Sequence, residues 1–308
     1  MINRNLIRIR VVQLMYAWHQ NTNKDLRIAE KELLFSLQKS YDLYYFLLLL
    51  MVELTDSYQN RVETKRNKFL PTEEDLHPNT HLIENRFIMQ LRENRQFQKQ
   101  LAERPMSWNS NEAFVKNLLD IILSSDIYKE YATIASPTYE EDQEFWRKTF
   151  KQLISQNGEL DDILEDECIY WNDDVKIVQT FVLKTIKRFS AENGCDQPLL
   201  PMFKDEQDKN YAIKLLHNSI LGEKEYSRLI EKHTDKWDFD RIAFMDLVIM
   251  KVALSEIFTF ESIPTNVSLN EYIEIAKSYS TPKSGTFING ILDAIVQEIK
   301  KEKRIFKN

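Results

Sequence analysis

The stretch that decides the reading is residues 237–293, WDFDRIAFMDLVIMKVALSEIFTFESIPTNVSLNEYIEIAKSYSTPKSGTFINGILD. It divides into three apolar-periodic segments. The spacing predicts a first helix over about 239–260, capped by Asp238 or Asp240, with Ile242, Met245, Ile249, Val252, Leu254 and Ile257 as core candidates. Pro264 follows the turn. Ser268 and Glu271 then have the S-x-x-E spacing of a capping box, ahead of Ile273, Ala276 and Tyr279. The loop STPKSG at 280–285 ends that helix. A third starts near Thr286 and carries Phe287, Ile291, Leu292, Ile295 and Ile299. Gly290 lies inside it; a mid-helix Gly costs about 1 kcal/mol against Ala, which predicts a close backbone contact.

Working outward, the composition agrees with helices. Only 5 of 308 residues are Gly and 8 are Pro, whereas sheet proteins place both at many tight turns. The formal charge of -7 weighs against wrapping duplex nucleic acid through bulk charge and leaves a local basic face open. Cys168 and Cys195 form no CxxC pair, so a disulfide framework is not expected and a reducing, cytoplasmic setting fits. Residues 1–10 lack a secretory pattern. The longest apolar run, 43–52, falls short of the ~20 residues that span a bilayer. It reads as a buried helix segment, and no membrane partner is expected.

A first helix is predicted over 3–20, with Ile7, Val11, Leu14, Met15 and Trp18 on one stripe. Arg4 and Arg8 stack along one edge of it, and Arg10 flanks the opposite edge. Asn21, Thr22 and Asn23 end this helix. A longer one covers about 25–68, and its all-round apolar middle must be covered by other helices. Pro71 stops it, and 71–80 reads as a loop. Further helical stretches are 81–103, 110–134 with Ser107 or Asn109 as cap, and 138–156 behind Pro137. In 159–193, Val175, Val178, Val182, Ile186 and Phe189 share one face. Gly194, Pro198 and Pro201 break the chain before a last helical stretch at 205–233. There Gly222 marks a close contact or a break.

Little of this carries chemistry. Asp161, Asp162, Glu165, Asp166 and Glu167 point in different directions around a helix, which is a solvated acidic face rather than a metal site. His81 and Glu84 stand in the reverse order of a di-iron half-site and lack its partners. There is no phosphate-binding glycine loop and no nucleophile elbow, so neither a cofactor nor an enzyme is expected.

The order of motifs resembles a known family. A helix ending A-L-x-E, then I-P-x-x-V-x-x-N-E-x-x-E-x-A-K, then K-S-x-x-F-x-N-G-x-L-D, is similar to the C-terminal half of the NusB family of transcription antitermination factors. The first helix, Arg-rich with Gln13, Tyr16 and Trp18, resembles that family's first helix. The resemblance implies an all-α fold, two small helical bundles of NusB type enlarged by a helical insertion. It divides the chain into 1–58, an insertion at 59–205, and 206–308. It implies binding to the boxA element of ribosomal RNA leader transcripts, with NusE (also a small-subunit ribosomal protein) as partner, and joining the RNA polymerase antitermination complex. By position Arg4, Arg8 and Arg10 match the arginine-rich RNA-binding start. Lys283, Ser284, Phe287 and Asn289 match the other RNA-facing corner, and Asp246 falls on the helix that meets NusE. The bland reading of the arginines is a solvated helix face, and that of Phe287 is core packing. Two alternatives stand beside this: a helical interaction module without RNA binding, and the RNA-binding part of an rRNA-modifying system. The second would need a Gly-rich cofactor domain and a nucleophilic Cys, neither of which the sequence carries.

Overall fold

A computed structural model describes residues 1–22, 24–234 and 242–302. The described residues are 77% helical and contain no strand. Among the described residues one isolated parallel bridge, Ile2 with Phe203, lies outside the helices. In chain order the helices are α1 (Arg4–Gln20), α2 (Leu26–Arg66), α3 (Glu73–Leu76), α4 (Arg86–Glu93), α5 (Arg95–Glu103), α6 (Glu112–Ser124), α7 (Asp126–Ala132) and α8 (Tyr139–Thr149). They continue as α9 (Gly158–Glu167), α10 (Val175–Arg188), α11 (Glu206–Leu221), α12 (Glu223–His233), α13 (Phe244–Thr259), α14 (Thr265–Tyr279) and α15 (Ser284–Lys301).

The chain forms two compact units, one of Ile2–Gln38 with Met202–Asn308 and one of Lys39–Pro201 with Met1. These limits follow packing and differ from the boundaries near 58 and 205 that the resemblance of motifs led one to expect.

In the first unit α13 is the central helix and packs against α1, α11, α12, α14 and α15. Every residue from Val248 to Ile257 is buried, polar ones included. A helix apolar around most of its circumference is stable in water only when wrapped in this way. At the amino end, Asn3 caps α1 by accepting the Leu6 N–H at 2.9 Å.

The second unit is built around the apolar middle of α2, where residues 43–52 are all buried. Phe46 stacks on Trp108 at 4.1 Å and lies 5.3 Å from Trp171. Both indoles donate to carbonyls of α2, Trp108 to Phe46 and Trp171 to Lys39, so neither N–H is buried unpaired. Val175, Val178, Val182, Ile186 and Phe189 are buried together, as their spacing predicts.

Four local expectations change. Ser268 and Glu271 do not form a capping box, because α14 starts a turn earlier, behind Pro264. Ser268 is therefore inside the helix, and its hydroxyl donates to Glu256. The stretch 71–80 is not all loop, since Thr72 and Asp75 make a capping box for α3. The segments 81–103 and 110–134 are broken: His81 precedes the helix, and Asn94 and Ser125 each end one helix and cap the next. Ser107 Oγ accepts the Asn109 N–H in a 3-10 turn before α6 rather than capping α6 itself. The expected caps Asp238 and Asp240, with Trp237 and Asn23, lie outside the described residues.

Gly222 and Gly290 separate two reasons for a helical glycine. Gly222 ends α11, and a Cβ there would meet the Tyr226 ring at 2.4–2.5 Å. Around Gly290 a Cβ would meet nothing within 4 Å, so the expected close contact is absent. Gly222→Ala should therefore destabilise the chain by about 1–3 kcal/mol, because the buried Tyr226 must move. Gly290→Ala should stabilise it by up to about 1 kcal/mol. Denaturant midpoints of the two variants check both signs.

Candidate nucleic-acid interface

The arginines of α1 have different surroundings. Arg8 is 4% exposed. Its Nε and Nη2 donate to the Glu256 carboxylate at 2.8 and 2.9 Å, and its Nη1 donates to Glu271 at 3.1 Å. Glu256, fully buried on α13, also accepts from Ser268 at 2.7 Å, Tyr272 at 3.1 Å and the Tyr211 hydroxyl. Burial opposes the charge on Glu256. The hydrogen bonds and charge of Arg8, then the hydroxyls of Tyr211 and Ser268, outweigh it and hold the carboxyl below its usual range. Burial likewise opposes the Arg8 charge, and Glu256 more than compensates, so the guanidinium is held above its ordinary value. The Tyr211 and Tyr272 phenols are pushed up by burial and by the Glu256 charge.

Arg10 is buried as well and donates from Nη1 to Gln13 at 2.9 Å. Arg4 is the outer member: its side chain is 41% exposed, with Nε 3.6 Å from Asp208 and the guanidinium 5.1 Å from the Tyr211 ring centroid.

The corner at the start of α15 divides in the same way. Lys283 and Asn289 are exposed, and Phe287 is half-buried. Ser284 is buried; its hydroxyl donates to Asp246 at 2.9 Å and accepts the Thr281 N–H at 3.1 Å. α15 has no side-chain cap at its own start, so the Asp246 carboxylate on α13 supplies the anion that this helix end favours. Asp246 itself is 4% exposed.

Sequence reasoning passed over three features. Glu256 was legible as an acid inside the otherwise apolar end of α13, which calls for a buried cation. The exposed pair Tyr16 and Phe244, ring centroids 5.3 Å apart, was hidden because an apolar periodicity does not say which aromatic stays outside. The third is the sharing of charge. Residues 39–201 hold 28 Asp and Glu against 19 Lys and Arg, a formal charge of -9, while the rest holds 20 against 22. The acidity that argued against nucleic acid thus belongs to one unit, and the unit with α1 and α15 is slightly basic.

Residues 177–297 match the model of the NusB family. A transcription antitermination protein NusB of Salinibacter ruber is 40% identical over 132 residues, which are 41% of this chain and 82% of that protein. The chain belongs to the NusB family. The namesake protein of Listeria monocytogenes is 40% identical over 109 residues, 35% of this chain and 84% of its own length. That of Chloroherpeton thalassium is 38% identical over 104 residues, 34% of this chain and 49% of its own. No solved structure matches the chain. Membership in the NusB family carries the non-enzymatic reading, and the names of its relatives support a role in transcription antitermination. No helix among the described residues is long and apolar enough to cross a membrane.

Breaking the buried pair leaves a charge without its partner. Arg8→Ala and Glu256→Ala should each cost about 3–5 kcal/mol, and the double variant less than their sum. The folded carboxyl of Glu256 lies below its ordinary value of 4.5. Its contribution is therefore complete above that value and is lost as pH falls through the lower folded one. Thermal melts across this range should show a flatter acid limb for Glu256→Ala than for the unaltered chain.

Proposed function

We propose that this NusB-family chain is an RNA-binding transcription antitermination factor. It acts on boxA-type single-stranded RNA of ribosomal leader transcripts, with NusE as partner, within the RNA polymerase antitermination complex in the cytoplasm. The observation that carries this reading is the 40% identity to an antitermination protein over 82% of that protein's length. The exposed positions among the motif residues support it.

Arg4 and Lys283 take phosphates, Phe287 stacks on an unpaired base, and Asn289 reads a base edge or a sugar. Arg4 exchanges its loose 3.6 Å pairing with Asp208 for a phosphate fork. Arg8 and Arg10 act from inside, by holding α1 in place. Ser284 and Asp246 do the same for the loop that carries Lys283. The partner surface on α13 is its exposed start at Phe244, together with Tyr16 of α1.

Two phosphate contacts to a single strand should give a log affinity against log salt slope of about -1.4. Arg4→Ala or Lys283→Ala should reduce that slope by about 0.7. Phe287→Ala should weaken binding by about 1–3 kcal/mol with little change of slope. Titration of the full chain against boxA and scrambled RNA, with and without NusE, is the measurement. Equal affinity for both RNAs in the presence of NusE would sink the proposal.

A further inference from the structure

We infer that the unit of residues 39–201 is a docking module for a basic protein segment, seated in the groove between α7 and α8. The groove has a volume of about 260 Å³. Its floor is apolar: Ile127 and Ile134 from the α7 side, with Tyr131 and Phe145 stacked at 4.4 Å beneath. Its rim carries four carboxylates. Glu141 is engaged in capping α8 through the Thr138 N–H at 2.7 Å, and Glu144 pairs with Arg147. Glu130 and Glu140 are exposed and make no ion pair among the described residues. Lys148, the cation on this lining, acts on Glu144.

A larger groove of about 640 Å³ lies between α2 and α6, but most of its charges are paired within the protein, and the two outside those pairs, Glu53 and Lys65, are of opposite sign. There Asp56 pairs with Arg92, Asp120 with Arg61, and Glu112 with Lys116. Such a surface selects no sign of charge. The α7–α8 groove does, because two carboxylates flank an apolar floor with no cation of their own.

The size and the field point to the same occupant. The volume is below the roughly 300–1,000 Å³ of small-molecule sites, so it suits one or two side chains of a larger partner. The formal charge of -9 on residues 39–201 draws cations and repels nucleic acid. A segment with Lys or Arg beside a branched aliphatic residue satisfies rim and floor together. This inference does not depend on the RNA reading of α1 and α15.

The test uses the full chain and a fluorescent peptide of three Lys-Leu-Arg-Ser repeats, followed by anisotropy at low salt. A peptide of three Lys-Ser-Arg-Ser repeats has the same charge without the aliphatic residue. Glu130→Gln with Glu140→Gln neutralises the groove. Glu165→Gln with Asp166→Asn removes as much charge from exposed positions on α9. The leucine peptide should bind, weaken about fivefold with the groove variant, and change less than about twofold with the α9 variant. It should also bind about tenfold tighter than the serine peptide. Absence of binding, equal weakening by both variants, or equal affinity of both peptides would overturn the inference.

Discussion

A guanidinium and a carboxylate taken out of water together, Arg8 and Glu256, set the terms for α1 and α13. Each buried charge costs several kcal/mol of lost hydration, which only near-complete hydrogen bonding offsets. Glu256 meets that condition with two donors from Arg8 and the hydroxyls of Tyr211, Ser268 and Tyr272. Those donors lie on α1, α11 and α14, so satisfying one carboxylate fixes three helices around a fourth. A one-residue rotation of α1 would turn the Arg8 guanidinium away from the Glu256 carboxylate and leave that buried charge without its cation. The rotation of α1 is thus set from inside, and what it offers outside follows.

That constraint divides labour among residues that look alike in sequence. Arg4 is one helical turn before Arg8 on the same side, yet it remains 41% exposed over the Tyr211 ring. The same division recurs at α15, where Ser284 faces Asp246 inside and Lys283 faces solvent. In the proposed function the inner member of each pair orients the outer one. Gly290 keeps the surface beside Asn289 free of a side chain although no internal contact requires it.

The second unit rests on different physics. Its core is aromatic, with Phe46, Trp108 and Trp171 around α2 and both indole N–H groups paired to carbonyls. Asp42 and Arg104 close a bidentate pair at 2.6 and 2.8 Å nearby. Much of this unit's surplus of acids lies at the surface, as at Glu159, Asp162, Glu165, Asp166 and Glu167 of α9. The two units therefore present opposite electrostatics to any partner, one slightly basic and one strongly acidic.

Much of the fold was legible in the sequence because helical periodicity is a local property. The stripe of α1, the buried run at 43–52 and the shared face of α10 follow from spacing alone. So does the family, since motif order survives without coordinates. The capping-box reading of Ser268 and Glu271 failed for the converse reason. Their spacing is local, but both side chains turn to partners on other helices, Glu256 of α13 and Arg8 of α1. The direction of Arg8, the anchoring of Ser284 and the exposure of Phe244 likewise depend on which helix lies against which. The sequence by itself determined the helices, their apolar faces and the family. Only the tertiary structure decided which charged groups are buried in pairs and which remain for a ligand, because the free energy of a charge depends on surroundings that distant segments bring to it.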